Sequence, residues 1–77
     1  MDRKELIEKL DLLNINPSAY SLWDELKLDT VILYHNYDKW EVFYYDERGN
    51  RNREKIFNSE DEACQYIYNS FKTKGGL

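Results

Sequence analysis

The side chains that could perform nucleophilic or acid–base catalysis are few in this 77-residue chain. It contains one histidine, His35, and one cysteine, Cys64. A Cys–His pair or a Ser–His–Asp triad would have to use His35, which ends a β-branched and aromatic run beside a turn, an ordinary place for a surface histidine. Cys64 falls on the apolar side of a helical pattern, which is typical of a small buried side chain rather than a nucleophile. The sequence therefore predicts no enzymatic activity.

The sequence also contains no motif for binding a metal ion or a phosphate group. Zinc sites require clustered cysteine and histidine ligands, and the turn-like run DERGN (46–50) lacks the ligand spacing of a calcium loop. The only paired glycines are Gly75 and Gly76, beyond the last predicted helix, where they cannot form a phosphate-binding loop in front of one. We therefore expect no metal, no cofactor and no small-molecule substrate.

Nucleic-acid binding is the next chemistry that the residues could support, through the segment KWEVFYYDERGNRNREKIF (39–57) and its flank. Basic side chains that follow a phosphate backbone and aromatic rings that stack on bases are typical of single-strand binding surfaces. The residues of these two types are Arg48, Arg51, Arg53 and Lys55, with Tyr37, Phe43 and Tyr45. Asp46, Glu47 and Glu54 nearly cancel that charge, and cross-strand ion pairs explain the same residues without a ligand. Because exposed aromatic residues more often mark a protein contact, we predict a core hairpin whose outer face is a candidate protein interface.

Charge is unevenly distributed along the chain. The net charge is −4; residues 1–47 carry 11 acidic and five basic side chains, whereas residues 48–77 carry four acidic and six basic ones. An acidic chain repels phosphate backbones, which makes nucleic acid an unfavourable partner, and it suits a basic protein. The alternative is that the charge only keeps a small protein in solution, and the sequence leaves both interpretations open.

Neither export nor membrane insertion is predicted. The start MDRKELIEKL lacks the apolar run and the cleavage site of a signal peptide, and no stretch approaches the roughly 20 apolar residues of a membrane span. A single cysteine cannot form an internal disulfide, which suits a reducing compartment. We expect a cytoplasmic protein.

The elements that must position these residues begin with two capped helices. Asp2 and Glu5 have the spacing of a capping box, and apolar residues then recur at helical spacing until Pro17 ends the pattern. Ser59 and Glu62 repeat the capping box before the second helix. The apolar faces consist of Leu6, Ile7, Leu10 and Leu13 in the first helix and Ala63, Ile67 and Phe71 in the second.

Between the helices the pattern predicts strands. DTVILYH (29–35) is β-branched and aromatic, NYDK (36–39) supplies turn residues, and RNREKIF (51–57) returns after Gly49, which permits the left-handed backbone of a short hairpin loop. Residues 40–45 alternate between the two faces of the predicted strand. We predict that Trp40, Val42 and Tyr44 face the core and that Glu41, Phe43 and Tyr45 face away from it. YSL (20–22) could be a short edge strand, and WDELKL (23–28) a loop or a single helical turn.

These elements predict an α+β fold in which an N-terminal helix, an antiparallel meander of three to four strands and a C-terminal helix follow one another, with both helices on one sheet face. Residues 1–74 would form this single domain, and residues 75–77 a flexible tail.

A family resemblance adds to these predictions. The succession AYSL, KWEVFYYDERG and IFNSEDEACQYIYNSF, within residues 19–71, resembles small immunity proteins of bacterial polymorphic-toxin and contact-dependent inhibition systems. The resemblance implies a non-enzymatic cytoplasmic protein that binds and neutralises one cognate toxin, often a basic nuclease. Two alternatives stay open: another interaction module, such as a phage-type inhibitor of a host nuclease or a regulatory subunit, and a small nucleic-acid-binding domain.

A partner-binding surface follows from the residues themselves, because immunity surfaces differ between toxin pairs. We predict acidic contacts flanking aromatic and arginine anchors. The acidic residues are Asp24, Glu25, Asp38, Glu41, Asp46 and Glu47, and the anchors are Tyr37, Phe43, Tyr45 and Arg48.

Overall fold

The helices begin where their N-caps predict, but the first helix ends at Leu12, earlier than the pattern that ran to Pro17. In this computed structural model, which describes residues 1–75, α1 spans Arg3–Leu12 and α2 spans Glu60–Lys74. The Asp2 carboxylate accepts a hydrogen bond from the Glu5 N–H at 2.8 Å, and the Ser59 hydroxyl accepts one from the Glu62 N–H at 3.2 Å. Asp2 and Ser59 are therefore the N-caps of the two helices, as predicted.

The C-terminal end of α2 is closed by Gly75, whose φ of 73° is the left-handed conformation that glycine adopts without a Cβ clash. Gly75 is thus a helix cap. The rest of the tail predicted at 75–77 lies outside the described residues.

The four strands are β1 (Tyr20–Ser21), β2 (Thr30–Asn36), β3 (Lys39–Tyr45) and β4 (Arg51–Phe57), and they lie side by side in that order. A 3₁₀ turn, Pro17–Ala19, leads into β1. Where the sequence left alternatives open, YSL contributes a two-residue edge strand and WDELKL is a loop. The α+β class is found as predicted, but the sheet is mixed rather than antiparallel. β1 runs parallel to β2, and only β2–β3 and β3–β4 are antiparallel. The reason is that residues 22–29 form a crossing loop that carries the chain back to the end of the sheet where β1 begins, as a parallel pair requires.

Both helices pack on one sheet face and form the main core. The alternation predicted for β3 is confirmed, since Trp40 and Val42 face this core and Tyr44 is packed against it. Fully buried side chains from both helices meet the strands here: Leu6, Leu10, Ala63, Cys64 and Ile67 with Leu33 and Val42. Among the described residues, no helix is both long and apolar enough to cross a bilayer.

The opposite sheet face has its own small cluster. Ile32 and Phe43 are 0% exposed, although neither belongs to the core that the helices form. The Arg51 guanidinium lies 4.4 Å from the centroid of the Phe43 ring, and Tyr45 packs edge-on against the same ring at 6.2 Å. The aromatic face of the hairpin is therefore covered by the hairpin's own side chains.

Residues 22–29, which we call the crossing loop, are tied to this outer face at both ends. The hydroxyl of Ser21, the register partner of Ile32, donates to the Glu25 carbonyl at 2.7 Å. The Thr30 hydroxyl donates to the Leu28 carbonyl at 2.8 Å. Side chains on one strand alternate between faces, so both hydroxyls share the face of Ile32, whereas Leu22 at the start of the loop belongs to the core on the helix side.

The free edge of the sheet, β4, carries a β-bulge. Val42 pairs with Lys55 and Tyr44 with Asn52, so that two residues of β4 oppose one residue of β3. Arg53, one of the two, has a φ of 56°, the left-handed conformation found at the first residue of many such bulges. A bulge and a row of charged side chains both hinder pairing with another strand, which protects this exposed edge.

Candidate functional site

The ten residues predicted to bind a partner lie at three places rather than on one surface. Asp24 and Glu25 belong to the crossing loop, Tyr37 and Asp38 form the β2–β3 turn, and the other six follow β3 into the β3–β4 turn: Glu41, Phe43, Tyr45, Asp46, Glu47 and Arg48. Since a strand of this length spans about 20 Å, the two turns lie at opposite ends of the sheet. Each place has its own chemistry.

At the β3–β4 turn, the Asp46 carboxylate forms hydrogen bonds with residues of the turn and of β4. Its carboxylate accepts hydrogen bonds from the Asn50 N–H at 2.8 Å, the Arg48 N–H at 2.9 Å and the Asn52 side-chain amide at 3.0 Å. These donors, the Asn50 N–H first, lower the pKa of Asp46. Glu47 and Arg48 are exposed beside it.

Along β3, the predicted contacts are engaged within the fold. Glu41 forms an ion pair with Arg51 at 3.1 Å and accepts a hydrogen bond from the Asn36 side chain at 3.0 Å. Phe43 is completely buried under Arg51, and Tyr45 is half-buried against it. A partner can reach Phe43 only by displacing that guanidinium.

The β2–β3 turn contains the most unusual residue of the set. Asn36 pairs with Lys39, so the turn consists of Tyr37 and Asp38, and of these two only Tyr37 has a positive φ, 58°. A positive φ at the first central position of a two-residue hairpin turn is a conformation for which glycine is preferred. Tyr37 is also 93% exposed. Its aromatic ring therefore adds almost nothing to packing at a position where a side chain is unfavourable.

Asp24 lies near the same end of the sheet. Its carboxylate accepts a hydrogen bond from the His35 N–H at 2.6 Å, on the edge of β2 that the two-residue β1 leaves unpaired. The His35 ring stacks on Trp40 with 3.8 Å between centroids. Glu25, one residue further along the loop, is exposed.

Trp23 is a candidate that sequence reasoning missed. It is 53% exposed, and the Arg3 guanidinium lies 4.1 Å from its ring centroid and 5.0 Å from that of Trp40. Arg3 is itself held by an ion pair with Glu60 at 3.1 Å. Because WDELKL shows no helical or strand period, its tryptophan could not be assigned to a core or a surface from the sequence. We call Trp23, Asp24, Tyr37 and Asp38 the turn-end surface.

A cleft of about 260 Å³ lies beside Trp23. Its apolar walls come from α1, the 3₁₀ turn and β1, and include Ile7, Pro17 and Tyr20. The carboxylates of Asp11 and Glu25 also line it. Burial first, and then the charge of Asp11, raise the pKa of the Tyr20 phenol.

Cys64 and the residue types that bind metal ions were the remaining candidates for chemistry. Cys64 is buried in the core, and burial raises the pKa of its thiol to about 12, so that the thiolate is scarce at neutral pH. Within residues 1–75, no group of three histidine, cysteine or acidic side chains is placed to hold a metal ion.

Comparison of the chain with protein-family models, with curated proteins and with solved structures found no match. The function must therefore be inferred from the surface of the molecule itself.

Proposed function

We propose that this protein is a non-catalytic inhibitor of the immunity type, which binds a cognate toxin protein in the cytoplasm and neutralises it. The observation that carries the proposal is Tyr37, an aromatic side chain that is 93% exposed on a backbone with a φ of 58°. A non-glycine residue in this conformation costs about 1–2 kcal/mol. Strained residues of this kind cluster at binding and switch sites.

An exposed tyrosine is well suited to bind a protein. Tyrosine and tryptophan are enriched among the residues that dominate interface energies, because they bury a large area with few rotatable bonds. Trp23 on the turn-end surface is half-exposed and held by Arg3, so that it is already ordered before a partner arrives. Preorganised side chains lose less entropy on binding.

Charge supports a basic partner. The turn-end surface includes two exposed carboxylates, Asp24 and Asp38, and the first 47 residues have a net charge of −6. Such a surface attracts a basic protein and accelerates its association. Of the basic residues of β4, Arg51 is already paired with Glu41 and lies 3.7 Å from Glu54. This arrangement favours a protein over nucleic acid as the partner.

The test is co-expression with the product of the preceding gene, followed by measurement of growth protection and of the dissociation constant. We expect a stable complex that Tyr37→Ala weakens by about 2 kcal/mol or more, the loss typical of an interface anchor. Leu12→Ala is the matched control, because Leu12 is also a large, exposed side chain, at 82%, but lies at the end of α1. Failure to bind or protect would contradict the proposed function, and equal binding by the Tyr37→Ala protein would remove the observation that carries it.

A further inference from the structure

The cleft beside Trp23 has the size of a site for one side chain. Its volume of about 260 Å³ lies below the range of roughly 300–1,000 Å³ usual for small-molecule and cofactor pockets. Its lining residues come from α1, the 3₁₀ turn, β1 and the crossing loop. A single long side chain from another protein therefore matches its size better than a ligand of cofactor size does.

The lining combines three kinds of group. Ile7 and Pro17 offer apolar contact, Trp23 offers an aromatic ring, and Asp11 and Glu25 offer carboxylates. Among the ion pairs of the described residues, neither of these carboxylates takes part. Lys27 also lines the cleft and offsets one of the two negative charges.

Arginine is the side chain whose chemistry matches all three. Its methylene stem packs on apolar surface, its planar guanidinium stacks on aromatic rings, and its donors fit carboxylate oxygens. The molecule already contains one example, because the guanidinium of Arg3 lies 4.1 Å from the ring centroid of Trp23 and pairs with Glu60. Lysine would provide charge without the stacking plane, and leucine would leave both carboxylates without a partner.

We propose that this cleft binds one arginine side chain of the basic partner protein, with the guanidinium stacked on Trp23 and paired with the carboxylates of Asp11 and Glu25. The proposal rests on the proposed function for the identity of the partner, but the cleft can be tested without it. It also extends the contact from the turn-end surface toward α1, since Trp23 belongs to both.

The first experiment uses the intact protein, labelled with ¹⁵N, and the tripeptide acetyl-Gly-Arg-Gly-amide as the probe. We expect the indole N–H signal of Trp23 to shift on titration. The matched probe acetyl-Gly-citrulline-Gly-amide has nearly the same shape without the charge, and it should cause little shift. Equal shifts with the citrulline peptide, or with a leucine tripeptide, would overturn the proposal in favour of a purely apolar groove. A Trp23 signal that does not move at millimolar arginine peptide would overturn it as well, because it would show that the cleft does not bind arginine.

The second experiment neutralises the carboxylates in the double variant Asp11→Asn, Glu25→Gln. Both side chains are exposed, so the fold should persist, and the affinity for the arginine probe should fall about tenfold or more. The control double variant Glu8→Gln, Glu54→Gln makes the same change of charge at exposed positions outside the cleft and should bind as the wild type does. Applied to the cognate partner, the same two variants separate the outcomes. If a partner binds the two double variants equally well, the proposed function stands and the proposal of an arginine site in the cleft is overturned. If no protein partner exists, the proposed function is overturned, and the peptide titration alone tests the arginine site.

Discussion

Replacing Tyr37 by glycine should make the protein more stable while weakening its interaction with a partner. The wild-type residue has a φ of 58° and is 93% exposed, so glycine would remove backbone strain and sacrifice almost no packing. Most substitutions to glycine destabilise a protein, because glycine has the most conformational freedom to lose on folding. The predicted sign is therefore the opposite of the usual one.

The size of the effect follows from two opposing contributions. Left-handed backbone costs a residue with a Cβ about 1–2 kcal/mol, and the added freedom of glycine in the unfolded chain costs about 0.5–1 kcal/mol. With the midpoints of these two ranges, the difference is a gain of roughly 0.75 kcal/mol. In a domain of this size, a change of 1 kcal/mol shifts Tm by about 4–8 °C, so we expect Tm to rise by about 3–6 °C.

Thermal unfolding followed by circular dichroism measures this gain, and Asp38→Gly provides the matched control. Asp38 occupies the other position of the same turn and does not share the positive φ, so glycine there should lower Tm. If Tyr37→Gly lowers Tm as much as Asp38→Gly does, then Tyr37 is not strained and the inference from its conformation to binding fails.

Three further predictions concern the core and the second turn. Trp40→Ala should lower the free energy of unfolding, measured in urea, by about 3–5 kcal/mol, because Trp40 is buried between the sheet and Arg3. This is a large part of the roughly 5–15 kcal/mol that stabilises a whole domain. A loss below about 1 kcal/mol in the same assay would contradict the place of Trp40 in the core. Cys64 should react with a thiol reagent at mildly alkaline pH only after denaturant is added, because burial raises the pKa of its thiol to about 12; rapid labelling of the native protein would show that the thiol is accessible. Hydrogen bonds lower the folded-state pKa of Asp46, so its contribution to stability is present above the unfolded pKa of about 3.9 and is lost as pH falls through the lower folded-state value. The Tm difference between wild type and Asp46→Asn should accordingly shrink in acid, and a constant difference would count against this linkage.

The parts of the fold that could be predicted from sequence are those fixed by short-range chemistry. The N-caps at Asp2 and Ser59 depend on residues three positions away, and the alternation around Trp40 depends on neighbours in one strand. The direction of β1 could not be read in this way, because it depends on the path of residues 22–29 across the sheet.

In the candidate site too, short-range features could be predicted from the sequence, and features that depend on distant residues could not. The sequence identified Tyr37 as a turn residue and Phe43 as outward-facing, but a period of two cannot show that Arg51 covers the Phe43 ring. Turn type is equally hidden, because the φ of Tyr37 is set by the pairing of the strands on either side. Trp23 was missed since its position depends on Arg3, which is distant in the chain.

The short parallel pairing of β1 has a consequence for local opening. Only two register pairs join β1 to β2, whereas seven join β2 to β3. Segments held by few backbone pairs open locally at a free energy well below that of global unfolding, and their amides exchange with solvent early. The His35 amide, which donates to Asp24 in the crossing loop, should therefore be one of the early-exchanging amides of β2 in the free protein. Its exchange rate becomes an internal reporter of the crossing loop, slowing when a bound protein holds that loop in place.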